Sequence, residues 1–372
     1  MLEMKRKYSI YMAALCSLLI FASCDKDAVD IPGTETEKVP ITLSASSLPV
    51  SVDVQTRAET INGRTIGVVA ANTDETTPLT SVDWFDYYLD HVKASGTNTT
   101  LNGEKEVAFS PAQYWPFNPA EYLAFVAYSP YYGTNGDSRV ERVAGTNTLK
   151  VTANANSFPD FLYTEPVGPY NKESAKEATD KAISLGEFQH AMAKLDIQVK
   201  LVDKDGNDIP AANFPNPNRL RIAELKVLTE VKNGEFDLLQ TTSPKAWTNL
   251  DATGPKEIVR THISSLITLT ATLPTYTNCF LLPGTEEKSY VSIKIQELHP
   301  TTNTVVNEVL REAKITEFEV SSGVGAKLEM GKTTLLTIKV KYVPIPDPDT
   351  DVILEGQLVE WDYKGESTVT IE

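Results

Sequence analysis

From residue 40 onward the dominant spacing of apolar positions is two. Leu48, Val50, Val52 and Val54 alternate with Pro49, Ser51 and Asp53, the pattern of a strand with one face buried. The same period predicts strands over 65–70, 122–128, 194–202, 224–231, 290–297 and 333–342. Asn62-Gly63, Asn102-Gly103, Asp205-Gly206, Asn233-Gly234 and Pro283-Gly284 read as the turns between them. One stretch, 172–182, reads as helix; it is short and highly charged, and it marks a boundary between two β-units. Many short strands with polar turns predict an all-β fold built from β-sandwiches, with few short helices, rather than an α/β fold.

The two ends of the chain depart from this pattern. Lys5, Arg6 and Lys7 precede an apolar run that closes on Phe21-Ala22-Ser23-Cys24. The run falls short of the roughly 20 apolar residues that span a bilayer, so residues 1–23 read as a secretory signal. A cysteine directly after two small residues resembles a bacterial lipobox, with Cys24 as the acylated residue; Phe21 departs from the usual aliphatic position. The alternative is an ordinary signal peptide beside an incidental Cys24. Residues 24–39 are polar and aperiodic, a flexible tether. Near the other end, Pro344, Pro346 and Pro348 cannot donate ladder hydrogen bonds, so 343–351 is an extended linker. Two further strand-like pieces, 352–363 and 367–371, follow it. The expected organisation is therefore a sandwich over 40–184 and a second over 185–372, with 352–372 as a possible strand appendage.

Composition narrows the function by exclusion. With 41% apolar residues the 372-residue chain can bury a core. Its 34 basic and 50 acidic residues give a formal charge of −16, which argues against a nucleic-acid partner. Three cysteines and four histidines are too few for a disulfide scaffold or a metal cluster. His91, His190, His262 and His299 are scattered, and no hydrolase, Walker or dinucleotide motif is present. The run from Asp203 to Asp208 places its glycine at the wrong position for a calcium loop and reads as an acidic turn. No cofactor, metal or catalytic residue is expected. His190, beside an apolar strand, reads as a hydrogen-bonded structural histidine. Aromatic residues fall in three sequence clusters: Trp84, Tyr87 and Tyr88; Tyr114 and Trp115; Tyr128, Tyr131 and Tyr132. If exposed they could stack on sugar rings, which supports a glycan-binding surface lipoprotein as the alternative function; packing in sandwich cores is the favoured reading.

Several landmarks together resemble the fimbrillin family, subunits of the lipoprotein-derived type V pili of Bacteroidales. They are the lipobox at Cys24, Thr56-Arg57-Ala58, Tyr114-Trp115-Pro116 followed by 122–130, and Asp160-Phe161-Leu162-Tyr163. They continue with the run from Phe188 to Leu195, Leu281-Leu282-Pro283, and the run from Leu328 to Lys332. The resemblance implies two tandem transthyretin-like β-sandwich domains and a structural, adhesive role without enzymatic activity. It implies export as an outer membrane lipoprotein, cleavage by an arginine-specific protease, and assembly with other fimbrial subunits into a surface pilus that meets host or bacterial ligands. Arg57, before Ala58 in a polar loop, matches the processing position; Arg64 is the second choice. Cleavage would remove the first strand, 41–54, with Leu48, Val50, Val52 and Val54, and open a groove for another subunit's strand. Four such side chains amount to a gross burial of roughly 6–12 kcal/mol. The candidate donors are Val359, Trp361 and Tyr363 on one face, or Val369 and Ile371; the same alternation also suits strands that complete the second sandwich.

Overall fold

The computed structural model describes residues 38–46, 61–132, 140–143, 149–154, 160–203, 205, 207–209, 220–240, 245–263, 267–268, 275–299, 302–321, 324–341 and 352–360. The fold is all-β. Its first five strands are β1 (Leu43–Ser46), β2 (Thr65–Thr73), β3 (Tyr87–Leu101), β4 (Glu104–Phe109) and β5 (Tyr122–Ser129). They build a nine-stranded sheet in the order Ile183–Glu187, β1, β4, β3, β2, β5, Leu162–Tyr163, Gln189–His190, with Val167–Tyr170 also on β5.

The pattern of apolar residues explains the centre of this sheet. β2 and β5 read as nearly unbroken apolar runs because both of their faces are covered. Ile66, Val68, Ala70, Leu123, Phe125 and Ala127 enter one core, shared with Leu43, Val107 and Trp115. The intervening Val69, Ala71, Ala124, Val126 and Tyr128 enter another, shared with Tyr163, Phe236, Trp247 and Leu282. The β3–β4 hairpin turns on Asn102 and Gly103, both at positive φ (52° and 81°), as a two-residue loop of the primed type requires. Gly96 on β3 is forced by proximity: a Cβ there would lie 1.9 Å from the Ile61 carbonyl oxygen.

A six-stranded sheet runs Tyr276–Leu281, Ala193–Val202, Lys332–Lys341, Val352–Glu360, Glu319–Ser321, Val324–Gly325. A five-stranded sheet runs Glu257–Ile263, Leu220–Thr229, Ser289–Leu298, Val305–Lys314, with Ile267–Thr268 beside the second of these. Leu195, Ile197, Leu336 and Ile338 of the former share one dry core with Leu225, Val227, Ile293 and Ile295 of the latter. That is sandwich packing of two inner faces. The fourth sheet, Trp247–Asp251, Asn233–Asp237, Leu149–Asn154, Val140–Arg142, joins strands distant in sequence.

The strands expected over 65–70, 122–128, 194–202, 224–231, 290–297 and 333–342 are all present, most of them longer at one end. The helix is shorter than expected: Lys172–Glu177, capped by Asn171, whose Oδ1 accepts the Ser174 N–H at 2.8 Å. Asn233-Gly234 is not a turn. It opens the strand Asn233–Asp237, and Gly234 serves there because a Cβ would press on Leu250 and Trp247. Among the described residues no helix is long and apolar enough to cross a membrane.

Candidate functional site

The segment that precedes Arg57 is built into the sheet. At Val39 to Ile41 it runs against Gln113–Trp115: Ile41 N–H donates to the Gln113 carbonyl at 2.8 Å and Trp115 N–H to the Val39 carbonyl at 2.9 Å. Beyond it, Leu43, Ser44 and Ala45 pair antiparallel with Val107, Glu106 and Lys105 of β4. On its other side β1 pairs parallel with Ile183–Glu187, Leu43 opposite Ile183 and Ser44 opposite Ser184. β1 is thus an interior strand, bonded on both sides, and it separates Ile183–Glu187 from the rest of the sheet.

Its two faces differ. Ile41, Leu43 and Ala45 are buried with Val107, Trp115, Ile183 and Leu185. On the opposite face Ser44 Oγ donates to Glu104 Oε2 at 2.6 Å and Ser46 Oγ to Glu104 Oε1 at 3.0 Å. Ser184 Oγ, from the neighbouring strand, donates to the same Oε1 at 2.8 Å.

Cys24, Arg57, Ala58 and the row Leu48, Val50, Val52 and Val54 lie outside the described residues. The strand that the structure does describe ahead of Arg57 is Leu43–Ser46. Its signal was present in the sequence as an unbroken apolar–hydroxyl alternation, Ile41-Thr42-Leu43-Ser44-Ala45-Ser46. Val359 falls in Val352–Glu360, opposite Thr333 in an antiparallel pairing with Lys332–Lys341. Trp361, Tyr363, Val369 and Ile371 lie outside the described residues.

Arg64, the second processing choice, is tied down. Its N–H donates to the Ile61 carbonyl, its own carbonyl accepts from Gly96, and its guanidinium meets Asp160 Oδ2 at 2.8 Å. Asp160 Oδ1 in turn bonds His190 Nδ1 at 2.6 Å, with His190 6% exposed. His190 is a hydrogen-bonded structural histidine. A backbone held in this way does not enter a protease cleft without local unfolding.

Trp84 and Trp115 are each 3% exposed and pack in separate cores, so neither offers a face to a sugar. Tyr87, Tyr88 and Tyr114 are exposed, and the Tyr88 hydroxyl donates to the Tyr114 carbonyl at 2.7 Å. Cys279 is fully buried, and burial pushes its thiol up to about 12, which leaves it unreactive. Asp203 Oδ1 accepts the N–H groups of Asp205 and Asn207, the bonding of an acidic turn. Among the described residues no group of three or more His, Cys, Asp and Glu is placed to hold a metal ion.

His262 responds to pH. Burial, then the charge of Arg260, lower it from 6.5 to about 4. Its folded value lies below its unfolded one, so protonation favours the unfolded chain. Stability from this residue is complete above pH 6.5 and is lost progressively toward pH 4. We expect the melting temperature to fall across that window and His262→Phe to flatten the decline. Equal slopes in both proteins, measured by calorimetry, would show that carboxylates alone set the acid limit.

The model of the family described as fimbrillin-like matches residues 56–361, most of the chain. The protein belongs to the fimbrillin-like family. Members of this family are fimbrial structural proteins rather than enzymes, and membership implies a place in cell-surface fimbriae, in association with other fimbrial subunits. No curated protein matches the sequence. Among solved structures, a candidate cell adhesion protein from Bacteroides uniformis is 15% identical, with 87% of this chain and 98% of that one covered and a TM-score of 0.49. A fimbrial assembly protein from Parabacteroides distasonis is 9% identical, with 87% and 100% covered and a TM-score of 0.41. The fimbrial anchor protein Mfa2 from Porphyromonas gingivalis is 10% identical, with 87% and 99% covered and a TM-score of 0.33.

Proposed function

We propose that this fimbrillin-like protein is a pilus subunit that is exported as an outer membrane lipoprotein through Cys24. An arginine-specific protease cuts it after Arg57, and it polymerises by donor-strand exchange into a surface fimbrium that adheres to host or bacterial ligands. One observation carries the reading: the strand upstream of Arg57 is interior to a sheet, not an edge. Its loss strands the backbone groups of β4 on one side, those of Ile183–Glu187 on the other, and those of Gln113–Trp115 at the end. It also vacates the places of Ile41, Leu43 and Ala45 in the core. Ile41 and Leu43 alone represent about 3–6 kcal/mol of gross apolar burial, to which the unmet hydrogen bonds add. Association entropy offsets part of this. A body in that state takes up a strand from a second subunit, with backbone bonds giving affinity and the alternation fixing register.

The donor role falls to the tail. Val352–Glu360 is paired along its whole length with Lys332–Lys341 in its own sheet, which supports assigning exchange to the residues after it, where Trp361, Tyr363, Val369 and Ile371 stand.

Trp115 reports the event. It is 3% exposed, sits edge-on to Phe125 at 5.8 Å, and its backbone N–H donates to the carbonyl of the departing Val39. Limited digestion of the full chain with an arginine-specific protease is expected to give a product that begins at Ala58. Release of the fragment should red-shift tryptophan emission, and refilling of the groove should reverse the shift as oligomers appear by light scattering. A product that begins at Ala58 yet stays monomeric, with unchanged emission, would falsify strand exchange.

A further inference from the structure

We propose that Glu104 makes the vacated groove selective for a hydroxyl-bearing strand and hostile to an acidic one, and that the strand it selects is residues 367–371 of a second copy of this chain. The inference rests on the strand exchange proposed above and names the partner segment.

Glu104 opens β4 and continues the β1 register, next in line after Ala45 opposite Lys105. Its carboxylate accepts three serine hydroxyls, at 2.6, 3.0 and 2.8 Å, two of them from β1. Glu106, opposite Ser44 in the same pairing, accepts the Thr97 hydroxyl at 2.9 Å. Among the described residues no ion pair involves either carboxylate. When β1 leaves, Glu104 keeps only Ser184. A half-buried carboxylate that has lost two charge-assisted bonds is best satisfied by new donors.

A strand in this groove turns alternate residues to the apolar core and to the carboxylates, whichever direction it runs. If Val359, Trp361 and Tyr363 fill the core, Glu360 and Asp362 share the other face and meet Glu104 and Glu106. Like charges placed opposite each other across strands are destabilising. If Val369 and Ile371 fill the core, Thr368 and Thr370 stand opposite the carboxylates instead, with Glu366 and Glu372 on the same face but one place further out at either end. Those hydroxyls repeat the chemistry of Ser44 and Ser46, and Thr368-Val369-Thr370-Ile371 repeats the apolar–hydroxyl alternation of Ile41 to Ser46. The electrostatics of the groove therefore separate two segments that apolar periodicity alone leaves equivalent.

The test uses the full chain nicked after Arg57, with strand uptake followed by fluorescence anisotropy of labelled peptides. The peptides are residues 38–57, 356–364 and 364–372, the last also as Thr368→Asp/Thr370→Asp. The 364–372 peptide is expected to bind at least about tenfold more tightly than 356–364, and the double aspartate to lose about tenfold or more. In Glu104→Gln protein the aspartate penalty should shrink to within about threefold, since the like charge is gone. An aspartate peptide that binds like the parent, or a penalty unchanged by Glu104→Gln, overturns the role of Glu104. Uptake of 38–57 with both tail peptides refused overturns the choice of occupant. If none of the peptides is taken up, strand exchange itself fails and this inference with it.

Discussion

Arg57→Ala is expected to leave the chain with its first strand in place and to abolish polymerisation, the largest effect that a single substitution should have on this protein. The argument combines position with competition. Arg57 stands in the polar sequence Gln55-Thr56-Arg57-Ala58-Glu59-Thr60, between the described sheet residues that end at Ser46 and resume at Ile61. The nearest other arginine, Arg64, is bonded through its N–H, its carbonyl and its guanidinium and offers no substitute site. Cleavage of the variant should therefore stop rather than move. N-terminal sequencing after arginine-specific digestion and a polymer ladder on unheated gels read the two consequences separately. Because the substitution leaves β1 in its groove, the variant should melt no lower than the unprocessed parent. Polymers assembled from an uncleaved Arg57→Ala chain would show that β1 is not the gate.

How much of this was legible in the sequence depended on what each residue was a proxy for. β2 and β5 were legible because burial on both faces leaves continuous apolar runs, and the sandwich strands 193–202, 289–298 and 332–341 because a buried face leaves an apolar residue at every second position over much of their length. β3, fifteen residues long, was not. Its Lys93, Ser95, Thr97, Asn98, Thr99 and Thr100 are mostly exposed or partly exposed, and its strand character comes from pairing with β2 and β4, which a local window does not see. Asn233-Gly234 has turn composition but is a strand start, because the glycine answers a tertiary approach by Trp247 and Leu250. Tyr114 and Trp115 are adjacent in sequence yet divide between surface and core, since neighbouring side chains of an extended segment point opposite ways. At the candidate site, the apolar half of the groove was readable from alternation. The polar half was not: Glu104, Ser44, Ser46 and Ser184 come from three segments, and only the sheet order brings their oxygens within 3.0 Å.

Asp160→Ala is expected to cost about 3–5 kcal/mol of folding stability, the effect of breaking a buried charge pair from one side. Asp160 is 7% exposed and bonds Arg64 and His190 with separate oxygens. Since a carboxylate only accepts, the 2.6 Å contact requires the proton on His190 Nδ1. Alanine removes the acceptor shared by the Arg64 guanidinium and the His190 imidazole N–H. The location amplifies the loss. Arg64 holds the turn from Ile61 into β2, Asp160 leads into Leu162–Tyr163, and His190 ends the short strand before Ala193–Val202 enters the six-stranded sheet. One carboxylate thus fastens three segments that are far apart in sequence. Chemical denaturation should show a lowered midpoint, with Asp160→Asn intermediate because the amide still accepts one bond. The same variant carries a second, functional signature. With the Asp160 bond gone, local opening around Arg64 costs less, and arginine-specific digestion should yield a new product that begins at Thr65 beside the one that begins at Ala58. A destabilisation below about 1 kcal/mol would place the pair among interactions that contribute little. A lowered midpoint without the Thr65 product would instead mean that backbone bonding alone protects Arg64.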